Sequence, residues 1–338
     1  MANLSVAILG LGRIGTSAGL ALRRYMKKGG KHTFEIVGHD ISSHNEKQAK
    51  KLGAVDDIES KLHRAVADCD LVLLTMPYED LEKNYQQMAD SIRDGCVVLD
   101  ASPIKHPSLD IAKKYLSSEQ HMVGITPIFN PRYLFDAKET IEQAEEDLFD
   151  NSAILLTPAA SCSKAAVDLA FNFCVVLGSK PRFLDPHEHD AMLGYTEGLP
   201  SLMGVSLFYY LMHQDNWQDL QWFTNPNFGV LTRPLNDRHP DDLRDEWMQN
   251  RDVLGRALDG MIETLQGVRG LLADGDKSAI EDFADNASQQ YEQWINHRYN
   301  ADWDNASKAP KYDSSYSLLG SMFGNNMAKR IRGEKDDD

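Results

Sequence analysis

Short apolar runs alternate with segments of helical periodicity through the first half of the chain. The runs are rich in valine, isoleucine and leucine and cover residues 6–9, 34–37, 71–74, 97–99, 122–123 and 153–156. Such alternation of short buried strands with helices is typical of βαβ units. The pattern therefore predicts an α/β domain built on a parallel sheet.

Strand signals end near residue 184, and helical patterns follow as far as about Trp294, interrupted by a loop-like stretch at 222–240. The change begins with Asp185, which suits a helix N-cap, and with Pro186 at the first helical position. The second part of the chain is therefore predicted to be all-helical. The expected divisions are an α/β domain at 1–184, a helical domain at 185–300 and a partly ordered tail at 301–338.

Composition and charge narrow the class of protein. Of the 338 residues, 42% are hydrophobic and 25% are charged, which is ordinary for a globular chain. The 51 acidic and 35 basic side chains give a net charge of −16. This charge repels a polyanion, so we expect no nucleic-acid partner.

The cysteines and the apolar stretches bear on location. Cys69, Cys96, Cys162 and Cys174 lack the paired spacing of a metal site, and three of them lie in apolar runs. No charged leader precedes the first apolar run, and no stretch reaches the length of a membrane span. We expect a soluble protein of the reducing cytoplasm, with no targeting segment, no membrane partner and no metal.

A glycine pattern follows the first apolar run and opens the first helical pattern. Gly10, Gly12 and Gly15 have the spacing of a dinucleotide-binding loop. The first permits a tight turn, the second lets the backbone approach a pyrophosphate, and the third lets helix and strand pack closely. The N-terminus of the helix favours the phosphate charges. This predicts a Rossmann domain with a cofactor loop formed by Gly10, Leu11, Gly12, Arg13, Ile14 and Gly15.

Asp40 ends the second apolar run, where a carboxylate accepts hydrogen bonds from ribose hydroxyls and repels a 2′-phosphate. It favours NAD as the cofactor, while the nearby His44 and Lys47 leave NADP as the alternative. Thr75 and Pro77 follow the run at 71–74, at a strand end where the cofactor is expected to lie. A simple strand stop explains these two residues equally well.

An ordered series of short motifs continues beyond the nucleotide loop. It comprises Asp100-Ala-Ser-Pro-Ile-Lys105, Gly124-Ile-Thr-Pro127, residues 154–158, His189-Asp190, Leu199-Pro200 and the region 232–250. With the glycine loop and Asp40, this series resembles the prephenate and arogenate dehydrogenases over residues 4–290. The resemblance implies transfer of a hydride from a hydroxyl-bearing ring carbon to the nicotinamide of NAD, with loss of carbon dioxide. It also implies a helical domain that pairs into a homodimer.

Four site positions depart from the pattern of that family. Thr126 stands where the family's Gly-x-His-Pro loop has a histidine that accepts the substrate hydroxyl, and a threonine is no base near neutral pH. Pro103 replaces a site serine, with Ser102 one position earlier, while Lys105 is kept. The two histidines of the helical-domain motif are replaced within Glu197-Gly-Leu-Pro-Ser201. We therefore expect the scaffold and cofactor to be kept and the substrate chemistry to have changed.

Candidates for the missing acceptor lie in the helical part. Pro200 should kink its helix, and Glu197 and Ser201, four residues apart, then share a face toward the nicotinamide. Glu197 is the preferred acid or base, with a solvated helix residue as the alternative, and His189 is a second candidate for proton transfer. The run 187–190 looks like a metal cluster, but its two histidines point about 200° apart on a helix.

Arg233 matches a family arginine suited to a substrate carboxylate, which a guanidinium binds with two hydrogen bonds. The alternative is an ion pair with a local acid such as Asp237. The predicted catalytic side chains are therefore Lys105, Thr126, His189, Glu197, Ser201 and Arg233. The predicted cofactor contacts are the glycine loop, Asp40, Thr75, Pro77 and Ser102.

Two functions remain open. The first is an NAD-dependent oxidoreductase acting on prephenate or a related small carboxylate, and the second is a non-catalytic NAD-binding sensor or regulatory protein. A dehydrogenase for a β-hydroxy acid is a weaker third, because the second domain has no convincing lysine-asparagine helix motif. An apolar stripe at 253–268 suits a homodimer interface or burial within its own domain.

Overall fold

An eight-stranded sheet forms the centre of the first part of the chain. The computed structural model describes residues 2–136 and 140–300. Its strands are β1 (Asn3–Leu9), β2 (Thr33–His39), β3 (Asp57–Ile58), β4 (Leu71–Leu74), β5 (Val97–Asp100), β6 (His121–Pro127), β7 (Ala153–Pro158) and β8 (Lys180–Phe183). They lie in the order β3-β2-β1-β4-β5-β6-β7-β8. The predicted parallel sheet is confirmed, with an antiparallel β6–β7 pair added where the chain turns back.

Helices cover both faces of this sheet. They are α1 (Arg13–Lys27), α2 (Ser43–Leu52), α3 (Leu62–Ala65), α4 (Leu81–Met88), α5 (Lys105–Tyr115) and α6 (Lys164–Leu177). All four residues of β4 and of β5 are buried, which explains why these strands are continuous apolar runs and do not alternate. Strand β3 escaped the sequence analysis because its two residues, one of them an exposed aspartate, form no apolar run.

The chain becomes helical after β8, as predicted. The helices here are α7 (Pro186–Leu193), α8 (Leu199–Met212), α9 (Trp217–Leu220), α10 (Pro226–Leu231), α11 (Pro234–Asp237) and α12 (Pro240–Gln249). Asp185 caps α7, its side chain accepting a hydrogen bond from the His187 amide at 2.9 Å. The expected loop at 222–240 is wrong: α10 and α11 occupy much of it, each beginning at a proline that ends the preceding segment.

The helix predicted to kink at Pro200 contains a wider turn. Residues Gly194–Gly198 form a π-helical turn between α7 and α8. Pro200 has no amide hydrogen to donate to the carbonyl of Thr196, so the hydrogen-bonding ladder is interrupted at this point.

The chain divides into two compact units, residues 1–251 and 252–338. The described part of the second unit consists of α13 (Arg251–Asp274), which begins at the boundary, and α14 (Lys277–Tyr299). The tail predicted at 301–338 lies outside the described residues. No helix among the described residues is long and apolar enough to cross a membrane.

Candidate active site

The strand order reverses between β1 and β4, and in open α/β sheets ligands bind at the carboxyl ends of the strands beside such a switch point. Gly10 follows β1, and Thr75 follows β4. The Thr75 hydroxyl donates a hydrogen bond to the Gly10 carbonyl at 2.8 Å. Thr75, predicted as a cofactor contact, therefore supports the glycine loop directly. Pro77 lies nearby, exposed, before a short turn at Tyr78–Asp80.

The glycine loop is too tight for larger residues. Gly10 has φ +97°, and a Cβ on it would lie 2.7 Å from the Thr75 carbonyl oxygen. A Cβ on Gly15 would lie 2.0 Å from the Gly10 carbonyl oxygen. The close approaches inferred from the sequence at these two positions are thus present, and they bring the N-terminus of α1 directly under the loop.

The N-terminus of α1 is suited to an anion. Gly12 is the N-cap residue of α1 and has no side chain to accept a hydrogen bond from the first amides of the helix, and no acidic residue lies in the first helical turn. The Leu11 side chain is fully buried and that of Ile14 packs against the core, so these residues offer backbone groups alone. A loop with uncapped amide groups and a positive helix end fits the pyrophosphate of a dinucleotide.

Asp40 faces the same loop. Its carboxylate accepts hydrogen bonds from the amides of Leu11 at 2.6 Å and Ser42 at 2.7 Å, and from the Asn45 side chain at 3.3 Å. A carboxylate has about four acceptor positions, so it keeps capacity for a ribose hydroxyl. Of His44 and Lys47, the two residues that left NADP open, His44 is hydrogen-bonded to Glu142 at 2.9 Å and Lys47 is exposed. Two carboxylates at this rim oppose a 2′-phosphate, and the residues fit NAD.

Thr126, His189 and Asp190 form a connected chain of hydrogen bonds beyond the end of β5. His189 Nε2 lies 2.7 Å from Thr126 Oγ1, and His189 Nδ1 lies 2.8 Å from Asp190 Oδ1. An ionised carboxylate can only accept, so Nδ1 carries the hydrogen and Nε2 offers its lone pair to the Thr126 hydroxyl. The imidazole is 2% exposed, whereas Thr126 is half-buried. Contact with a ligand is therefore open to the threonine and closed to the histidine.

Asp190 also caps α5 from another helix. Its Oδ1 and Oδ2 accept hydrogen bonds from the first two amides of α5, those of Lys105 at 2.7 Å and His106 at 2.9 Å. The side chain of Ile104, which precedes α5, provides no cap. Asn250 donates to the Asp190 carbonyl at 2.7 Å. The helix end stabilises the Asp190 charge, and this holds the His189 ring in one orientation.

Lys105 is wholly buried and joins two strand ends. Its Nζ donates hydrogen bonds to the carbonyl oxygens of Asp100 at 3.2 Å, Ile125 at 2.6 Å and Ser102. Burial lowers the pKa of Lys105 from 10.5 to about 8, against the opposing influence of the Asp100 and Asp190 charges. Because an ammonium has three donors and all three are engaged, Lys105 holds the backbone that precedes Thr126.

The absence of a side chain at Gly124 leaves room for the Lys105 side chain. A Cβ on Gly124 would lie 2.8 Å from Lys105 Cδ and 2.2 Å from Thr157 Oγ1. The Asp100 carboxylate is buried and accepts from the Ser102 amide at 2.8 Å and from Tyr85 Oη at 3.0 Å. The Ser102 amide thus donates to Asp100 and its carbonyl accepts from Lys105. The role of Ser102 as a cofactor contact stays a prediction.

The two candidates near Pro200, Glu197 and Ser201, differ in burial. Ser201 is buried, donating to the Gly198 carbonyl at 2.8 Å and accepting from Trp247 Nε1 at 3.0 Å. Glu197 is exposed on the π-helical turn. The common face expected from their spacing is interrupted because a π turn rotates successive side chains by less than an α turn does.

Arg233 forms an ion pair with Asp237, which is the alternative the sequence left open. The role of Arg233 toward a substrate carboxylate stays a prediction. In the run 187–190, His189 is buried, while His187 is exposed and its ring contacts that of His106 with centroids 4.2 Å apart and planes tilted by 38°. The two histidines therefore face different surroundings. Within the described residues, the ligand atoms of Glu79, His239 and Asp241 lie close enough together at the surface to hold a metal ion, but exposed acidic groups of this kind are common without one.

Sequence reasoning singled out Thr126 and His189 but missed the residues that connect and orient them. Asp190 was noticed only as part of a pair, because adjacent residues on a helix point about 100° apart and a contact between their side chains is not expected. Asn250 and Asp100 were noticed only as parts of longer motifs. Asp100 is the polar last residue of the buried strand β5, and Asn250 is the residue that follows α12.

Two family models match consecutive parts of the chain. The model described as prephenate dehydrogenase, nucleotide-binding domain, matches residues 19–181, and the model described as prephenate dehydrogenase, dimerization domain, matches residues 185–295. A prephenate dehydrogenase of Bacillus subtilis is 28% identical over 269 residues, which are 78% of this chain and 69% of that protein. A cyclohexadienyl dehydrogenase of Zymomonas mobilis is 23% identical over 279 residues, covering 80% and 90%.

Solved structures show the same fold. Prephenate dehydrogenase of Aquifex aeolicus, in complex with hydroxyphenyl propionate and NAD+, has a TM-score of 0.71 at 21% identity, covering 86% of this chain and 98% of that chain. Arogenate dehydrogenase of Synechocystis has a TM-score of 0.64 at 18% identity, covering 86% and 100%. The predicted family is confirmed, and with it the prediction of a dehydrogenase that uses NAD. The chain belongs to the prephenate dehydrogenase family, with the family's nucleotide-binding domain followed by its dimerization domain.

Proposed function

We propose that this chain oxidatively decarboxylates prephenate or a closely related small carboxylate with NAD+, in the branch of metabolism that leads to tyrosine. The observation that carries the proposal is the hydrogen-bonded series Thr126, His189 and Asp190. The residue at the family's histidine position cannot accept a proton by itself, but a histidine from α7 stands 2.7 Å behind it. The acceptor that the sequence lacks at position 126 is thus supplied from another element.

In the reaction, the substrate hydroxyl donates its hydrogen bond to Thr126 Oγ1, while the Thr126 hydroxyl donates to His189 Nε2. The proton of the substrate hydroxyl passes to Thr126 as the threonine proton passes to His189. Asp190 stabilises the imidazolium that forms, and Thr126 ends the step neutral. NAD+ held by the glycine loop and Asp40 would supply the acceptor for the hydride that leaves the ring carbon. The carboxylate leaves as carbon dioxide, and its bonding electrons complete the aromatic ring, while the proton held by His189 returns through Thr126 to the ring oxygen, which becomes the phenolic hydroxyl.

The exposures of the two side chains support this relay over direct contact with His189. The imidazole is 2% exposed, so a substrate meets Thr126 first. Lys105 donates a hydrogen bond to the carbonyl of Ile125, the residue before Thr126, and so holds the backbone from which the Thr126 side chain projects. In this proposal Thr126 is the residue that touches the substrate, and Lys105 positions it.

We also propose that the chain acts as a homodimer. Large hydrophobic side chains are exposed in both compact units, among them Trp222 and Phe223 in the first and Ile262 and Leu265 in the second. The match to a dimerization domain covers all four of these side chains.

The four cysteines are free, in keeping with a reducing compartment, and the cytoplasmic location stays a prediction.

The test uses the purified full chain with prephenate and with arogenate, each with NAD+ and with NADP+. We expect substrate-dependent NADH formation with at least one of the two substrates, together with an aromatic product, and much weaker turnover with NADP+. A chain that binds NADH by fluorescence titration yet reduces no NAD+ with either substrate would contradict the proposal. That result would favour the non-catalytic NAD-binding alternative.

A further inference from the structure

Arg13 lies in the glycine loop, at the first position of α1, where a basic side chain is expected to face phosphate groups. Its side chain is instead 1% exposed and turned toward the chain that follows β6. The guanidinium donates to the Asp136 carbonyl at 2.7 Å and to the Asp136 carboxylate at 3.3 Å. It also lies 5.4 Å from the ring centroids of both Phe129 and Tyr133.

The segment that Arg13 holds is the continuation of the candidate active site. Phe129 is three residues beyond Thr126, and the described part of the segment runs to Asp136. A buried guanidinium between two aromatic rings with a carboxylate at its edge is a strongly held group, because cation–π and charge-assisted hydrogen bonds strengthen when water is excluded. The contact therefore joins the loop that holds the cofactor to the segment next to the substrate.

Two more side chains of α1 bind the same connection between β6 and β7. The Ser17 hydroxyl accepts from the Glu145 amide at 2.9 Å, and Arg24 makes two hydrogen bonds to Asp150 at 2.7 and 2.6 Å. Positions 13, 17 and 24 lie within about 40° of one another around a helix. One face of α1 is thus fastened to this connection from its first turn to its last.

We propose that Arg13 is a positioning residue for the substrate side of the site and not a ligand of the cofactor phosphates. The proposal rests on the proposed function. Asp136 neutralises the charge of Arg13, so binding of the pyrophosphate depends on the backbone of the loop and the N-terminus of α1. Arg13 holds the segment 128–136, and replacing Arg13 loosens the surroundings of Thr126 while the nucleotide loop stays formed.

The test compares Arg13→Met and Arg13→Lys with a matched control, Arg23→Met. Arg23 is on the same helix and is also ion-paired, but its partner is Asp56, in the region between α2 and β3. Three quantities are measured on the full chain: the Kd for NADH by fluorescence titration, amide hydrogen exchange at 128–136, and kcat and KM for the substrate at saturating NAD+.

For Arg13→Met we expect the Kd for NADH to stay within about threefold of the wild type, while exchange at 128–136 speeds up and the substrate KM rises about tenfold. Arg13→Lys keeps the positive charge but loses the planar guanidinium, so its exchange rate at 128–136 and its substrate KM should lie between those of the wild type and Arg13→Met. Arg23→Met should leave all three quantities unchanged.

A tenfold or greater weakening of NADH binding by Arg13→Met, with unchanged exchange at 128–136, would overturn the proposal and identify Arg13 as a phosphate ligand. Unchanged exchange with unchanged NADH binding would overturn it as well. Exchange and NADH titration need no turnover, so they test Arg13 separately from the proposed reaction. If the wild-type chain turns over no substrate, the proposed function fails while these two readouts still decide the role of Arg13.

Discussion

At the residue scale, the site places a buried imidazole behind a half-buried hydroxyl. His189 is oriented by Asp190, and Asp190 is in turn held by the first amides of α5. Each group therefore has a partner that fixes its hydrogen-bonding role before any ligand arrives. Such preorganisation is what a proton relay needs, since the relay fails when one of its members turns away.

Lys105 gives the chain a pH dependence of known sign. Burial lowers the pKa of Lys105 from 10.5 to about 8, so between these values the unfolded chain binds more protons than the folded chain. The cost of burying the charge is fully present below about pH 8 and is relieved as the pH rises to 10.5. Relative to a chain without this amine, the wild type should therefore gain about 3 kcal/mol of unfolding free energy across the window.

Urea denaturation of the wild type and Lys105→Met over this pH range measures the difference. Lys105→Arg is a second variant, because its guanidinium stays charged throughout and should show no such gain. Parallel pH profiles for the wild type and both variants would show that Lys105 is not the buried, titrating group described above.

Sequence reasoning reached the residues of this relay but not their contact. Thr126 and His189 are separated by 63 positions, and their approach depends on how α7 lies against α5 and the end of β6. The four-residue spacing of Glu197 and Ser201 predicts a common face on an α-helix, but Glu197 lies in a π-helical turn at Gly194–Gly198, just before Pro200. A local irregularity of this kind depends on tertiary packing and is not visible in periodicity.

At the element scale, the glycine loop and α1 act as one rigid piece. Gly15→Ala would place a methyl group 2.0 Å from the Gly10 carbonyl oxygen, and neither backbone segment can move without disturbing β1. We expect a loss of about 2 kcal/mol of unfolding free energy or more, together with at least about tenfold weaker NADH binding.

Gly260→Ala is the matched control for this substitution. Gly260 lies within α13 with nothing within 4 Å of an added Cβ, so the change should stabilise the chain by about 1 kcal/mol or less. Thermal unfolding and NADH titration check both variants. An unchanged NADH affinity in Gly15→Ala would contradict the close packing of loop and helix described for this site.

Elements were predictable where burial imposed a simple pattern. Strands β4 and β5 are buried on both faces, so each appears as an unbroken apolar run. The start of α7 was predictable because Asp185 and Pro186 are local signals. The helices α10 and α11 were missed because six and four residues are too few to show a helical period.

At the scale of the whole molecule, several large hydrophobic side chains are exposed, and we expect a second copy of the chain to cover them. Trp222 and Phe223 are 83% and 79% exposed, and Tyr209 and Tyr210 are each 63% exposed. Side chains of this size are costly to leave in water, and a stable dimer buries about 1,600 Å². We expect a solution mass of two chains of 38.0 kDa each. Light scattering measures it, and a single 38.0 kDa species at micromolar concentration would contradict the proposed homodimer.

The central claim is that His189 accepts the substrate proton through Thr126. The direct test is kcat/KM for the better of prephenate and arogenate with NAD+, for the wild type, His189→Asn, Thr126→Val and Thr126→Ser. We predict a fall of about 10²-fold or more in His189→Asn and Thr126→Val, and near wild-type behaviour in Thr126→Ser. NADH affinity should be unchanged in all three variants. A His189→Asn variant that stays within a few fold of the wild type in kcat/KM would contradict the claim.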